Sequence, residues 1–167
     1  MNNTCVQTHI KYLKAANEAA REAVKTGNTP FGAVLVENET GEILLTQGNA
    51  EHDLHDATAH AERCLASRAS QLYEKEKLWN CTLYTTCEPC PMCTGAIYWA
   101  NIGRIVYGIP EKRLLEMTGA DDKNPTFSMG ADKVIRAGQK PIELIGPFAE
   151  MEEEITAVHQ GFWNKEK

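Results

Sequence analysis

The sequence predicts an α/β fold, a three-layer α/β/α sandwich in which a five-stranded mixed sheet is flanked by helices. Short runs of β-branched and aromatic residues alternate with longer segments whose apolar residues recur at helical spacing. Strands that are joined through helices form layered domains of this kind. Because the chain has 167 residues and contains neither a repeat nor a linker, one domain is predicted over residues 1–167.

The predicted elements can be placed in order along the chain. A first helix covers residues 9–26, with apolar side chains at helical spacing, and ends at Gly27. The five predicted strands cover residues 31–36, 42–48, 81–85, 104–108 and 141–145. Further helices are predicted over residues 58–72, with Asp56 or Thr58 as the N-cap, and over residues 91–101 and 149–163. Residues 111–137 are expected to mix short helical pieces with loop.

The charge of the chain argues against a nucleic-acid substrate. The formal net charge is −6, the Lys and Arg residues are scattered, and an acidic run lies around residues 150–154. Proteins that bind nucleic acids neutralise phosphates with clustered basic residues. No apolar run is long enough to span a bilayer, and the first residues lack the pattern of a secretory signal. A small-molecule substrate, a cytoplasmic location and no membrane contact are therefore expected.

The cysteines point to metal chemistry. Three of the six cysteines, Cys87, Cys90 and Cys93, fall within seven consecutive residues, and a disulfide framework is not expected without secretion. Cys90 and Cys93 are three residues apart at the start of a predicted helix, so they share a face, and the helix dipole there stabilises thiolates. His60 is a plausible third ligand. Three protein ligands leave one position open, which is typical of a catalytic rather than a structural zinc site.

A carboxylate beside this group completes a catalytic pattern. Glu62 lies two residues from His60, close enough to approach the metal without binding it. A carboxylate in that place can take a proton from water and deliver it to a substrate, which is general acid–base catalysis. His-x-Glu followed by Pro-Cys-x-x-Cys is the signature of zinc-dependent nucleobase deaminases.

Other interpretations of the cysteines fit less of the pattern. An iron–sulfur run requires a fourth cysteine four residues after Cys93, where the chain has Ile97. A structural zinc ribbon requires a second Cys-x-x-Cys pair, which the sequence lacks. A redox pair of Cys87 and Cys90 leaves His60 and Glu62 unexplained, so we interpret Cys87 as a structural or supporting residue.

These residues resemble the cytidine-deaminase-like superfamily, in the branch that holds bacterial guanine deaminases, cytosine deaminases and tRNA adenosine deaminases. The segments that carry the resemblance are residues 29–34, 57–62, 83–93 and 95–100. The resemblance implies a five-stranded sheet between helices. It also implies that His60, Cys90 and Cys93 bind one zinc ion per subunit and that Glu62 shuttles protons.

The resemblance further implies three substrate contacts. Asn49 matches an asparagine that hydrogen-bonds the base, although a turn residue after a strand is an equal alternative. Trp99, with the segment around Cys87, looks most like guanine deaminases. Asp122, or its neighbour Asp121, falls near an aspartate that contacts the purine in that group, and the alternative is a solvated loop pair.

The predicted function is therefore the hydrolysis of guanine to xanthine and ammonia. In this hypothesis Asn49 and Asp122 orient the base, and Trp99 or a C-terminal aromatic residue closes the pocket. Guanosine, cytosine and tRNA adenosine are the alternative substrates, and a non-catalytic structural zinc protein is the remaining rival. Because guanine deaminases of this type form dimers that exchange C-terminal segments, a homodimer is expected. The aromatic residues within 159–163 either reach a partner subunit or pack within their own core.

Overall fold

The computed structural model describes residues 3–119, 121–122 and 124–163, and it confirms the predicted fold class. Helices and strands alternate along the chain. The helices are Asn3–Lys25 (α1), Glu51–Leu54 (α2), Ala61–Leu72 (α3), Lys75–Trp79 (α4), Pro91–Ala100 (α5), Glu111–Thr118 (α6), Ala131–Ala137 (α7) and Glu152–His159 (α8). The strands are Gly32–Glu37 (β1), Ile43–Gly48 (β2), Cys81–Cys87 (β3), Arg104–Ile109 (β4) and Glu143–Ile145 (β5).

The sheet is mixed, and its order brings several chain segments to one edge. The strands lie in the order β2-β1-β3-β4-β5, with β1 antiparallel to both neighbours and with β3, β4 and β5 parallel. Cys87, at the end of β3, pairs with Ile109, at the end of β4. Gly32, at the start of β1, pairs with Gly48, at the end of β2. The segments that leave β2, β3 and β4 therefore meet at the same edge, which is where open α/β sheets bind ligands.

Helices cover both faces of the sheet. Along β1, Ala33 and Leu35 belong to one buried cluster, whereas Val34 and Val36 belong to another. This alternation follows from the period of two along a strand. Helices α3 and α5 pack on the first face, and α1 and α8 pack on the second. Contact between α1 and β1 is close, because a Cβ atom built on Gly32 would lie 2.2 Å from the backbone oxygen of Ala16.

The structure corrects several predicted boundaries. Helix α3 begins at Ala61 with His60 as its N-cap, so neither Asp56 nor Thr58 caps it; instead Asp56 accepts hydrogen bonds from the backbone and hydroxyl of Thr58. Cys87 ends β3 rather than lying in the following loop, because its side chain is buried with the rest of that strand. The last predicted helix is shorter, since α8 ends at His159 after a 3-10 turn over Ala149–Met151.

Two short helices, α2 and α4, were not predicted. Both are single turns in polar stretches that carry no helical periodicity. In the part of the chain that the structure describes, no helix has the length and apolar character needed to cross a membrane.

Candidate metal centre and active-site cavity

The starts of two helices bring the predicted metal ligands together. His60 is the N-cap residue of α3, and Cys90 is the N-cap residue of α5, which continues with Pro91 in its first turn. The Nδ1 atom of His60 lies 3.8 Å from the Sγ atom of Cys90 and 3.5 Å from that of Cys93. All three donor atoms fall within 4.8 Å of one another. Residues that are 30 positions apart in the sequence thus form one compact N/S₂ group.

This geometry fits zinc. A tetrahedral zinc ion with Zn–S bonds of about 2.3 Å and Zn–N bonds of about 2.0 Å holds its nitrogen and sulfur ligands about 3.5 Å apart. The two observed N···S distances, 3.5 and 3.8 Å, lie close to that separation. One imidazole and two thiolates are also a donor set that favours zinc by softness and geometry.

Hydrogen bonds among the ligand side chains shift the pKa values of these groups when no metal is bound. A hydrogen bond from Cys93 lowers the pKa of the Cys90 thiol to about 4. The hydrogen bond with Cys90 in turn raises the pKa of His60 to about 9. Cys90 also lies at the N-terminus of α5, where the helix dipole stabilises a thiolate. A metal ion that enters this group must displace the proton of His60, so metal binding depends on pH.

Glu62 lies in the first turn of α3, two residues after the ligand His60. The residue is 5% exposed, and the hydroxyl of Thr85, on β3, donates to its Oε1 atom over 2.6 Å. Burial raises the pKa of this carboxyl, because the charged form loses solvation. Its place beside the ligands, its fixed orientation and its raised pKa are the properties required of a group that accepts and returns a proton.

A cavity at this edge of the sheet is lined by Glu62 and by two of the three ligands, His60 and Cys90. The cavity is small and partly open to solvent. Apolar side chains form part of its wall and polar ones form the rest. The lining residues are Phe31, His60, Glu62, Cys87, Glu88, Cys90, Glu111, Leu114 and Asn124.

Glu88 joins the metal-binding loop to two other helices. Its Oε2 atom accepts a hydrogen bond from the backbone N–H of Glu111 over 3.1 Å, and its Oε1 atom accepts one from Ala131 over 2.9 Å. The backbone N–H of Glu88 also bonds the carbonyl oxygen of Ile109 over 2.8 Å. One carboxylate therefore fixes the first residues of α6 and α7 relative to the segment that carries Cys90.

The predicted substrate contacts lie outside the set of cavity-lining residues. Asn49 is buried, and its side-chain amide donates to Glu51 over 2.7 Å. Trp99 is 77% exposed on α5 and contacts Tyr98 edge to face. Asp122 is exposed, whereas Asn124 of the same segment lines the cavity. Within one chain the fold thus brings together the ligands and Glu62, but not these three residues.

Sequence reasoning missed four polar residues of the site: Thr85, Glu88, Glu111 and Asn124. Thr85 and Glu88 flank the end of β3, and Glu111 follows the end of β4. Because parallel strands end at one edge, the position of Glu111 after a strand was a usable signal. Asn124 follows no strand and belongs to no motif, so nothing in its sequence context marks it.

The C-terminal aromatic residues pack within their own subunit, behind the cavity wall. Trp163 is 7% exposed, and its Nε1 atom donates to Nδ1 of His159 over 3.0 Å. The ring of His159 meets Phe31 edge to face at 5.3 Å, and its Nε2 atom lies 4.0 Å from the Sγ atom of Cys87. His159 and Trp163 therefore support Phe31 and Cys87, two lining residues. Within the single chain, His159 and Trp163 pack in the core.

The sequence of this chain is similar to those of zinc-binding deaminases. A family model described as the cytidine and deoxycytidylate deaminase zinc-binding region matches residues 6–109. A probable cytosine deaminase of Schizosaccharomyces pombe is 35% identical over 157 residues, which is 93% of this chain and 92% of that protein. The guanine deaminase of Bacillus subtilis is 41% identical over 115 residues, or 68% of this chain and 72% of that protein.

A solved structure agrees with the fold. It comes from a study of A-to-I editing by tRNA:A34 deaminases at the wobble position of transfer RNA. It superposes with a TM-score of 0.68 at 28% identity and covers 89% of this chain and 99% of its own.

Proposed function

Because this chain belongs to the cytidine and deoxycytidylate deaminase zinc-binding family, we propose that it hydrolyses guanine to xanthine and ammonia. The observation that carries the proposed chemistry is the placement of Glu62. A buried carboxylate, oriented by Thr85, lines one cavity with His60 and Cys90, two members of an N/S₂ group whose spacing fits zinc. A structural zinc site has no use for such a carboxylate, and its fourth position would be filled by protein.

The residues would act in the following way. His60, Cys90 and Cys93 would hold a zinc ion, which lowers the pKa of a water molecule toward neutrality and makes it a nucleophile. Glu62 accepts the proton that water loses as its oxygen attacks C2 of the base. Glu62 then returns that proton to the ring nitrogen and assists the transfer of a proton to the amine, which leaves as ammonia. Water and guanine are thereby converted to xanthine and ammonia with no other reactant.

Guanine is proposed as the substrate for two reasons. The similarity to the guanine deaminase of Bacillus subtilis reaches 41% identity. The formal net charge of −6 disfavours a polyanionic substrate such as tRNA. Cytosine is the second candidate, because similarity to the probable cytosine deaminase of Schizosaccharomyces pombe extends over 93% of this chain.

The roles of the remaining predicted residues are part of the proposal. Asn49 and Asp122 are proposed to contact the base and Trp99 to help close the pocket, although none of the three lines the cavity of the single chain. The exposure of Trp99 suits contact with a second subunit, in keeping with the proposed homodimer. A cytoplasmic location is proposed for the same small-molecule enzyme.

Ammonia release tests the proposal directly. Purified, zinc-loaded protein would be given guanine, guanosine, cytosine, cytidine, adenosine and tRNA, with Glu62→Gln as the matched inactive variant. We expect release from guanine, no release by Glu62→Gln, and the same zinc content in both proteins. Release from cytosine alone would replace the substrate but keep the chemistry. Equal activity of Glu62→Gln would refute the role of this residue.

A further inference from the structure

Two polar side chains of the cavity wall, Glu111 and Asn124, take no part in the proposed proton transfers. Glu111 is the first residue of α6 and is 9% exposed. The charged groups that act most strongly on it, Cys90, Glu62 and Glu88, are all acidic, and burial raises the pKa of its carboxyl to about 7. Burying a carboxyl group among other acidic groups is costly to the fold, so its retention on the cavity wall calls for a functional cause.

Asn124 has the complementary property. Its side-chain nitrogen, Nδ2, is buried and has no hydrogen-bond partner among the described residues. A buried donor that lacks a partner destabilises a protein, and such groups are rare in folded chains. Since Asn124 also lines the cavity, the missing partner is expected to be a molecule bound there.

Glu88 holds the first residues of α6 and α7, the two helices between which Asn124 lies in the sequence. Glu88 fixes the backbone of Glu111 through one carboxylate oxygen and that of Ala131 through the other. The backbone N–H of Phe127 also donates to the carboxylate of Glu111, which leaves further acceptor capacity on that group. The wall between α6 and α7 therefore presents one acceptor and one donor in the cavity that contains the metal ligands.

We propose that Glu111 and Asn124 are specificity-determining residues that recognise the polar edge of a free base, with Glu111 accepting a ring N–H and Asn124 donating to a ring nitrogen or carbonyl oxygen. This inference rests on the proposed function and adds the residues that recognise the base. Adjacent donors and acceptors are a property of nucleobases, and an ionised carboxylate, the form of Glu111 above a pH of about 7, is a stronger acceptor for a ring N–H than a neutral group is. A site with buried polar groups rejects analogues that leave those groups unpaired.

A methylation scan measures the contact to Glu111. The specificity constant kcat/KM would be measured in the wild type and in Glu111→Gln. The substrates would be guanine, its 1-, 7- and 9-methyl derivatives, cytosine and 1-methylcytosine. We expect Glu111→Gln to lower kcat/KM for the unmethylated base about 10- to 100-fold, the usual value of a hydrogen bond to a charged group. Activity on the methyl derivative that lacks the recognised N–H should change much less, because the wild type has no such bond to lose.

A matched variant and a second residue separate recognition from folding. Glu116→Gln changes the same residue type on an exposed part of α6 and should leave every ratio unchanged. Asn124→Ala should raise KM about 10-fold while the melting temperature stays the same or rises, because the orphaned donor is removed. Zinc content should be equal in all variants.

The outcomes distinguish this inference from the proposed function. If guanine is inert but cytosine is deaminated, the proposed substrate fails and the cytosine pair carries the same comparison. If a base is deaminated but Glu111→Gln lowers all substrates by one common factor or none, the inference is overturned while the proposed function stands. A lower melting temperature or lost zinc in Asn124→Ala would assign that residue a structural role, and activity on no base would overturn both.

Discussion

His159 makes the stability of this fold depend on pH. Its ring is 3% exposed, and burial lowers its pKa from 6.5 to about 4. The Nε1 atom of Trp163 donates to Nδ1 of this ring, a bond that requires the neutral imidazole. In the unfolded chain the ring takes up its proton near pH 6.5, so acid favours unfolding. The perturbation to apply is therefore a fall in pH across this interval.

The sign and size follow from the two pKa values. Above about pH 6.5 neither state binds the proton, and the contribution of the neutral ring to stability is complete. As pH falls toward about 4 the unfolded state is increasingly protonated and this contribution is lost. With about 1.4 kcal/mol for each pKa unit, the total loss is about 3 kcal/mol, of which about 2 kcal/mol is lost by about pH 5.

The assay compares the wild type with His159→Gln, whose amide accepts the same bond from Trp163 but does not titrate. Urea unfolding of both proteins at a series of pH values gives the free energy of unfolding. Changes at the metal site affect both proteins equally, so the difference between them isolates His159. We expect the advantage of the wild type to shrink by about 2 kcal/mol between about pH 7 and about pH 5. A difference that stays constant with pH would refute the reasoning.

Three further perturbations follow from the structure. Thr85→Val removes the hydroxyl that stabilises the ionised form of Glu62, so the acid limb of the pH–activity profile should move to higher pH, and an unmoved limb would contradict the contact. In zinc-free protein, Cys90 should be alkylated by iodoacetamide at about pH 6, ahead of every other cysteine, as read by mass spectrometry; equal labelling of all six would show that its pKa is ordinary. Gly32→Ala should lower the free energy of unfolding by about 1–3 kcal/mol in urea, because the added methyl meets the backbone of α1, and Gly95→Ala, which meets nothing, is the control.

The metal centre could be predicted because its residues fall into two short motifs, each of them contiguous in the sequence. Each half of the ligand set lies at the start of one helix, and the spacing of Cys90 and Cys93 places both on one face whatever the rest of the fold does. Glu62 follows His60 within the same first turn. The only long-range step is the approach of α3 to α5, which the layered fold supplies.

The substrate side of the cavity could not be predicted in the same way. Glu111 and Asn124 reach the cavity through the parallel pairing of β3 with β4 and through the two hydrogen bonds of Glu88. These contacts join residues more than 20 positions apart, and they leave no pattern in the sequence beyond the place of Glu111 after the end of β4. Asn49 differs from Glu111 and Asn124, because its observed side-chain contact is local in the sequence. Its side chain bonds Glu51 two residues later, as expected of a turn residue, and its contact with the base stays a prediction.

The carboxylate of Glu88 connects the segment that carries the metal ligands to a segment whose sequence can change. It anchors both ends of the stretch from Glu111 to Ala131 to the loop that precedes Cys90. We therefore expect exchanges of sequence between those two anchors to alter the proposed substrate-facing wall of the cavity while the metal ligands keep their positions. Mutations selected for activity on a different base, in nature or in a library, can therefore fall between Glu111 and Ala131 and leave the metal ligands and Glu62 unchanged.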